Sequence, residues 1–171
     1  ATIRRQRQMC IRDRFDSAIE LARKNSATEE YLLEKFVSGE LYSHSAFLKN
    51  KRAIKNFFVK EDSTVNSFVV DTSRVIFSPP PEMQRQIINA VEKLARYLRL
   101  KDGLIHSQFI WDGCNIYLID RNRRIAGDLY SQLIELSTGH PYVENYVRPF
   151  LDMPYKNIEA VSYTHLTLPT N

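Results

Sequence analysis

Residues 104–120, LIHSQFIWDGCNIYLID, hold two apolar runs broken by one Asp-Gly pair. That punctuation constrains the fold more than any other feature. Runs rich in Ile, Phe, Trp and Tyr on either side of Asp112-Gly113 read as the two strands of an antiparallel hairpin. An isolated hairpin is not stable in water, so a sheet with a covered face must surround it. The second run stops at Asp120, and Asn122 and two arginines follow before Gly127 and Asp128. A buried strand that ends on a carboxylate and a carboxamide has oxygen ligands suited to a hard cation such as magnesium, which also draws on phosphate and water. Gln108, on the neighbouring strand, offers a third oxygen.

Register decides whether these three meet. A two-residue turn closed by Trp111 and Cys114 would put Gln108 and Asp120 on opposite faces, because side chains alternate along a strand. A shared site therefore requires an odd loop or a bulge. Gly113 is the residue able to supply the positive φ of a G1 bulge.

The remaining chain reads as α+β, an antiparallel sheet with helices packed on it. A helix is expected from Phe15 to Ser26. A short strand of buried type is expected over 31–37 (YLLEKFV), then a half-buried strand over 41–49, a turn at Lys49-Asn50-Lys51, a strand from Arg52, and another over 67–73 (SFVVDTS). Three prolines, Pro79 to Pro81, lead into a helix whose stripe of Met83, Ile87, Val91, Leu94 and Leu98 faces a core. After the hairpin come a helix near Leu129–Leu136, a stop at Thr138-Gly139, and a helix around Tyr142–Leu151.

Charge narrows the function classes. The chain has 24 Lys and Arg against 20 Asp and Glu. Five of those arginines and one aspartate lie in residues 1–14, so the rest is balanced. The basic excess belongs to a flank, which argues against a nucleic-acid surface in the body of the chain. No apolar run approaches the roughly 18–20 residues that cross a bilayer. The expectation is a cytoplasmic protein with no nucleic-acid or membrane partner; oligomeric state is not legible. Two cysteines, Cys10 and Cys114, provide no disulfide framework and no zinc site.

The flanks QRQMCIRDR and VSYTHLTLPTN resemble translated sequencing-adapter DNA at the ends of unrelated metagenome-derived sequences. On that reading residues 1–14 and 161–171 are non-native and the natural piece is 15–160. A basic arm and a short polar tail are the plainer alternative.

The strings GLIHSQFIW, YLIDRNRR, GDLY and STG, with LLEKFVSGELYS upstream, resemble the C-terminal half of an ATP-grasp domain over roughly residues 15–155. The similarity is greatest to standalone ligases carrying H-x-Q-F and R-R-x-x-G-D-L-Y. The resemblance implies an ATP- and Mg2+-dependent ligase that activates a small-molecule carboxylate as an acylphosphate for attack by an amine or other nucleophile. It implies that Glu34, Lys35, Phe36 and Val37 hold adenine through their backbone, that Asp120 bridges two magnesium ions and that Asn122 holds one. Gln108 would be the third metal position. Arg124 would touch the phosphoryl group in transit, His106 would lie near the phosphates, and Leu118, on the face of Asp120, would pack beneath the nucleotide. The pattern departs at three points. Gln108 stands where the family has a carboxylate, Asp120 replaces the more usual Glu, and Leu41 replaces a ribose-binding acid, for which adjacent Glu40 could serve. The family's phosphate-clamping lysine strand and Gly-rich lid precede this region, so the chain is expected to form half a nucleotide cleft without independent turnover. A non-catalytic nucleotide-binding or regulatory module on the same scaffold is the second reading, favoured by neutral Gln108.

Plainer readings stand beside these. Asp-x-Asn at a strand end is commonly a turn, Arg121, Arg123 and Arg124 can be a solvated corner, and His106 can be a hydrogen-bonded structural residue. His44 reads as structural or rim, His140 as a loop residue, Cys114 as inert, and Asp128 as a helix cap.

Overall fold

The computed structural model describes residues 15–65 and 69–156. The proposed flanks, Cys10 and the start of the 67–73 run lie outside the described residues. The element order is α1 (Phe15–Asn25), β1 (Glu40–Lys49), β2 (Arg52–Asp62), β3 (Thr72–Val75), α2 (Pro81–Tyr97), β4 (Gly103–Trp111), β5 (Ile116–Asn122), α3 (Tyr130–Thr138) and α4 (Tyr142–Val147), closed by a 3-10 turn at Arg148–Leu151. The five strands form one sheet in the order β3-β2-β1-β4-β5, and every pairing is antiparallel.

β1 and β2 are joined at Asn50-Lys51, both with positive φ (50° and 64°). That left-handed pair matches the strand twist, as tight hairpin turns require. Asn is among the residues that tolerate the conformation, and the Asn50 N–H donates to Asp102 Oδ1 at 2.8 Å.

Paired residues of an antiparallel ladder share a face, which sorts the sheet into two sides. On one side Tyr42, Ala46, Leu48, Phe58, Ile105, Phe109 and Trp111 pack against Met83, Ile87, Val91 and Ala95 of α2. On the other, Phe47, Phe57, Val59 and Leu104 meet Tyr130, Ile134 and Tyr142 of α3 and α4. β1, at the centre, is covered on both sides. The half-buried strand expected over 41–49 is instead buried at every position from Tyr42 to Leu48.

Three further expectations need correction. The 31–37 segment is not a strand; Leu32, Leu33 and Phe36 are 71%, 65% and 67% exposed. The sheet edges are β3 and β5, so among the described residues no strand pairs with this segment, and apolar content alone does not make one. The α2 stripe ends at Ala95 and not at Leu98: the helix stops at Tyr97, and Leu98 caps it, 54% exposed. Finally, the short strand after residue 66 runs Thr72–Val75, set by pairing with Val59 to Asp62.

Candidate functional site

The β4–β5 hairpin settles the register question. Its turn spans Asp112 to Asn115, and Asp112 Oδ1 accepts the N–H groups of Cys114 (2.8 Å) and Asn115 (2.7 Å). Trp111 pairs with Ile116, Ile110 with Tyr117 and Phe109 with Leu118; then the register shifts, and Gln108 pairs with Asp120, Ser107 with Arg121 and His106 with Asn122. Ile119 is the unmatched residue. The bulge therefore lies in β5 and not at Gly113, whose φ of 99° serves the turn. Its effect is to bring Asp120 onto the face of Gln108, with Asn122 beside it.

The same bulge separates Leu118 from Asp120. Leu118 pairs with Phe109, which belongs to the α2 side, so the expectation that it shares Asp120's face is corrected. Glu40 also lies on the far side, two residues before Tyr42. There it forms an ion pair with Lys60 and accepts from Tyr42 Oη at 2.8 Å. The Lys60 bond is the main reason its carboxyl sits below the usual range. Glu34, Lys35 and Phe36 are exposed and Val37 half-buried, all outside regular structure.

On the site face, four strands contribute in a row. Glu61 (β2) pairs with Leu41 and so lies diagonal to Ser43 on the same face of β1; Ser43 pairs with Gln108 (β4), which pairs with Asp120 (β5). Ser43 Oγ donates to Glu61 Oε1, and Gln108 Nε2 donates to Glu61 Oε2 at 2.9 Å. Glu61 is only 5% exposed, and no pattern in the sequence singles it out. Asp120 is exposed. Asn122 Oδ1 receives the Arg124 N–H at a long 3.4 Å, a local turn contact of the kind Asp-x-Asn sequences make. Arg124 is exposed, its Nη1 donating to the Ile125 carbonyl at 3.0 Å.

His106 is 4% exposed and anchored from below. Tyr142 Oη donates to Ser45 Oγ at 2.9 Å, Ser45 Oγ lies 2.9 Å from His106 Nδ1, and the Tyr130 ring meets the imidazole edge-on at 4.9 Å. Burial pushes the His106 pKa down to about 4, against the upward pull of Asp128 and Asp120 and with the help of Arg124. The ring is neutral at pH 7. Asp128 also accepts the Tyr130 N–H at 2.9 Å, holding the start of α3.

The other two buried histidines lie apart. His44 is on the α2 side, bonded to Asn56 Oδ1 at 2.9 Å and resting against Phe58. His140, expected as a loop residue, is buried (6% exposed) against Phe47 and Phe57. Cys114 is exposed in the hairpin turn. A cavity of about 320 Å³ lies elsewhere, between β2, the β3 end and α2, lined by Phe57, Phe58, Val75 and Ile88 among others.

Among the described residues no three His, Cys, Asp or Glu side chains converge as a metal site. A cation on this face would instead take one carboxylate, Asp120, with amide oxygens from Gln108 and Asn122. Three hard oxygens with open positions for phosphate and water fit magnesium. They do not fit a softer metal that prefers nitrogen or sulfur.

No protein-family model matches the sequence, and no curated protein matches it. Solved structures do. A phosphoribosylglycinamide synthetase from Anaerococcus prevotii aligns over 84% of this chain and 37% of its own, with TM-score 0.60 and 12% identity. The biotin carboxylase domain of a thermophilic 2-oxoglutarate carboxylase aligns over 87% and 34%, with TM-score 0.57 and 17% identity. An L-amino acid ligase from Bacillus licheniformis aligns over 66% and 29%, with TM-score 0.54 and 15% identity. These enzymes share the ATP-grasp fold. The chain has the α+β fold of one lobe of an ATP-grasp domain and spans about a third of the length of these structures.

Proposed function

We propose that this chain supplies the metal-and-phosphate face of an ATP- and Mg2+-dependent ligase. The observation that carries the reading is the β5 bulge, which aligns Gln108, Asp120 and Asn122 on one face. In the complete site, a substrate carboxylate would attack the γ-phosphorus of ATP, giving an acylphosphate and ADP. An amine or another nucleophile would then displace phosphate from the acyl carbon. Bound magnesium would neutralise charge on the phosphate oxygens. The chain's own residues position and stabilise: exposed Arg124 is a fixed cation for the phosphoryl group in transit, and neutral His106 offers a hydrogen-bond donor beside it. No covalent protein nucleophile is required. The open, uncapped face suits half of a cleft whose other wall is contributed from outside the described residues. Among these, no helix is long and apolar enough to cross a membrane.

Mg2+-dependent ATP binding tests the reading. Asp120→Asn keeps shape while removing the one carboxylate, so Mn2+ bound with ADP, followed by electron paramagnetic resonance, should weaken at least about tenfold, roughly 1.4 kcal/mol. If Asp120→Asn binds the metal–nucleotide pair as tightly as the unaltered chain, the site lies elsewhere. Neutral Gln108 favours a second reading, a nucleotide-binding regulatory module. Carboxylate-dependent ADP release by the intact protein would exclude it.

A further inference from the structure

Glu61 is a carboxylate buried near the end of β2, a costly placement unless it answers a need. Two of its neighbours point to one such need. Gln108 Nε2 donates to Glu61 Oε2 at 2.9 Å, and Ser43 Oγ donates to Oε1. A carboxamide has one donating end and one accepting end. Facing a carboxylate it can present only the NH2 group, since two oxygens would repel. Glu61 lies two strands away on the β2 side of Gln108, and Asp120 lies on the β5 side. Fixing Nε2 toward Glu61 therefore turns Oε1 away from it, to the side where Asp120 stands.

We propose that Glu61 is a positioning residue that locks the Gln108 amide with its oxygen toward Asp120, so that a neutral side chain acts as an oxygen ligand. This deepens the metal-site reading above and rests on it. It also accounts for the glutamine. A glutamate at 108 would set two carboxylates against each other, whereas Glu61 behind Gln108 keeps a negative charge near the cation and polarises the amide oxygen toward it. The carboxylate has moved one residue back from the metal. Partners behind a metal ligand that fix its orientation commonly change affinity by about 10–100-fold when lost.

The experiment has two independent readouts on the full chain. The first needs no metal: the Gln108 side-chain amide protons in 15N-resolved NMR spectra. In the unaltered chain one proton should be shifted downfield and protected from solvent exchange, and Glu61→Gln should abolish both. Rapidly exchanging Gln108 protons in the unaltered chain, or protection that survives Glu61→Gln, would overturn the proposal. The second is Mn2+–ADP affinity. Glu61→Gln should weaken it by about tenfold or more, and the double swap Glu61→Gln with Gln108→Glu should recover it, because the donor–acceptor pair is rebuilt in reverse. Failure of the swap to recover affinity, with its fold intact by the same spectra, would overturn the proposal as well. If the unaltered chain binds no Mn2+–ADP while the amide is anchored and Glu61-dependent, the nucleotide reading fails and the positioning role stands.

Discussion

At the scale of single residues, the site face is governed by which atom holds a proton. Ser45 accepts from Tyr142, and its own proton is then available to His106 Nδ1, 2.9 Å away. With Ser45 donating, Nδ1 is the acceptor and the imidazole proton sits on Nε2, directed away from Ser45, an arrangement that the ring's 15N spectrum tests. At pH 7 the 15N spectrum should show His106 as the Nε2-protonated tautomer. Ser45→Ala leaves Nδ1 buried without its donor, a loss of about 1–3 kcal/mol, and should produce a mixture of tautomers. An Nδ1-protonated ring in the unaltered chain would reverse the relay. The residue scale also shows what is legible in sequence. Asp120 and Asn122 stand out because apolar strands rarely end on two oxygen-bearing side chains. Glu61 does not, because Lys60-Glu61-Asp62 reads as a polar strand end and its partner Gln108 is 47 residues away. The bulge at Ile119 carries no signature residue; Gly113 is the conspicuous candidate, and its flexibility is used by the turn.

At the scale of elements, strands announced by alternation and turn chemistry are readable, and those that depend on a partner are not. Residues 31–37 have strand composition, yet pairing is a property of two segments, and both long sides of β1 are taken by β2 and β4. The chain between that segment and β1 is tightly constrained. A Cβ placed on Gly39 would fall 2.5 Å from the Trp111 carbonyl oxygen and 2.6 Å from Ile110 Cγ2. Glycine here lets the chain cross the end of β4 just before Glu40 pairs with Trp111. Gly39→Ala should force the β1 entry away from β4 and destabilise the fold by about 1–3 kcal/mol, the usual range for overpacking, read as a lower urea midpoint. An unchanged midpoint would mean that the segment swings clear at no cost, and that the crossing does not hold β1 in place.

At the scale of the molecule, one sheet does two jobs. The α2 side carries a largely apolar core, and the other side is partly covered by α3 and α4, with exposed Asp120 beyond them. Three histidines are buried in this arrangement, at 0% (His44), 4% (His106) and 6% (His140) exposure. Burial is the largest cause of lowering for each, and each has a folded-state pKa near 4 against 6.5 for the free side chain. The native state therefore holds these rings neutral, while the unfolded chain protonates them below about pH 6.5. Between 6.5 and 4 the unfolded state binds more protons, so stability is full above the unfolded value and falls as pH drops through this window. Each ring contributes a slope of up to about 1.4 kcal/mol per pH unit there. The carboxylates held low by hydrogen bonds and ion pairs, among them Glu40, Asp71, Glu82, Asp112 and Glu144, act in the same direction but only as pH falls through their own, more acidic range. Urea midpoints measured at pH 7 and pH 5 thus isolate the histidines, and the midpoint at pH 5 should be clearly lower. His44→Phe, which keeps a ring against Phe58 but removes a titrating group, should flatten part of that difference. Equal midpoints at the two pH values would mean that the rings are charged or solvated in the native state, and the sheet would then lack the dry interior on which the relay from Tyr142 to His106 depends.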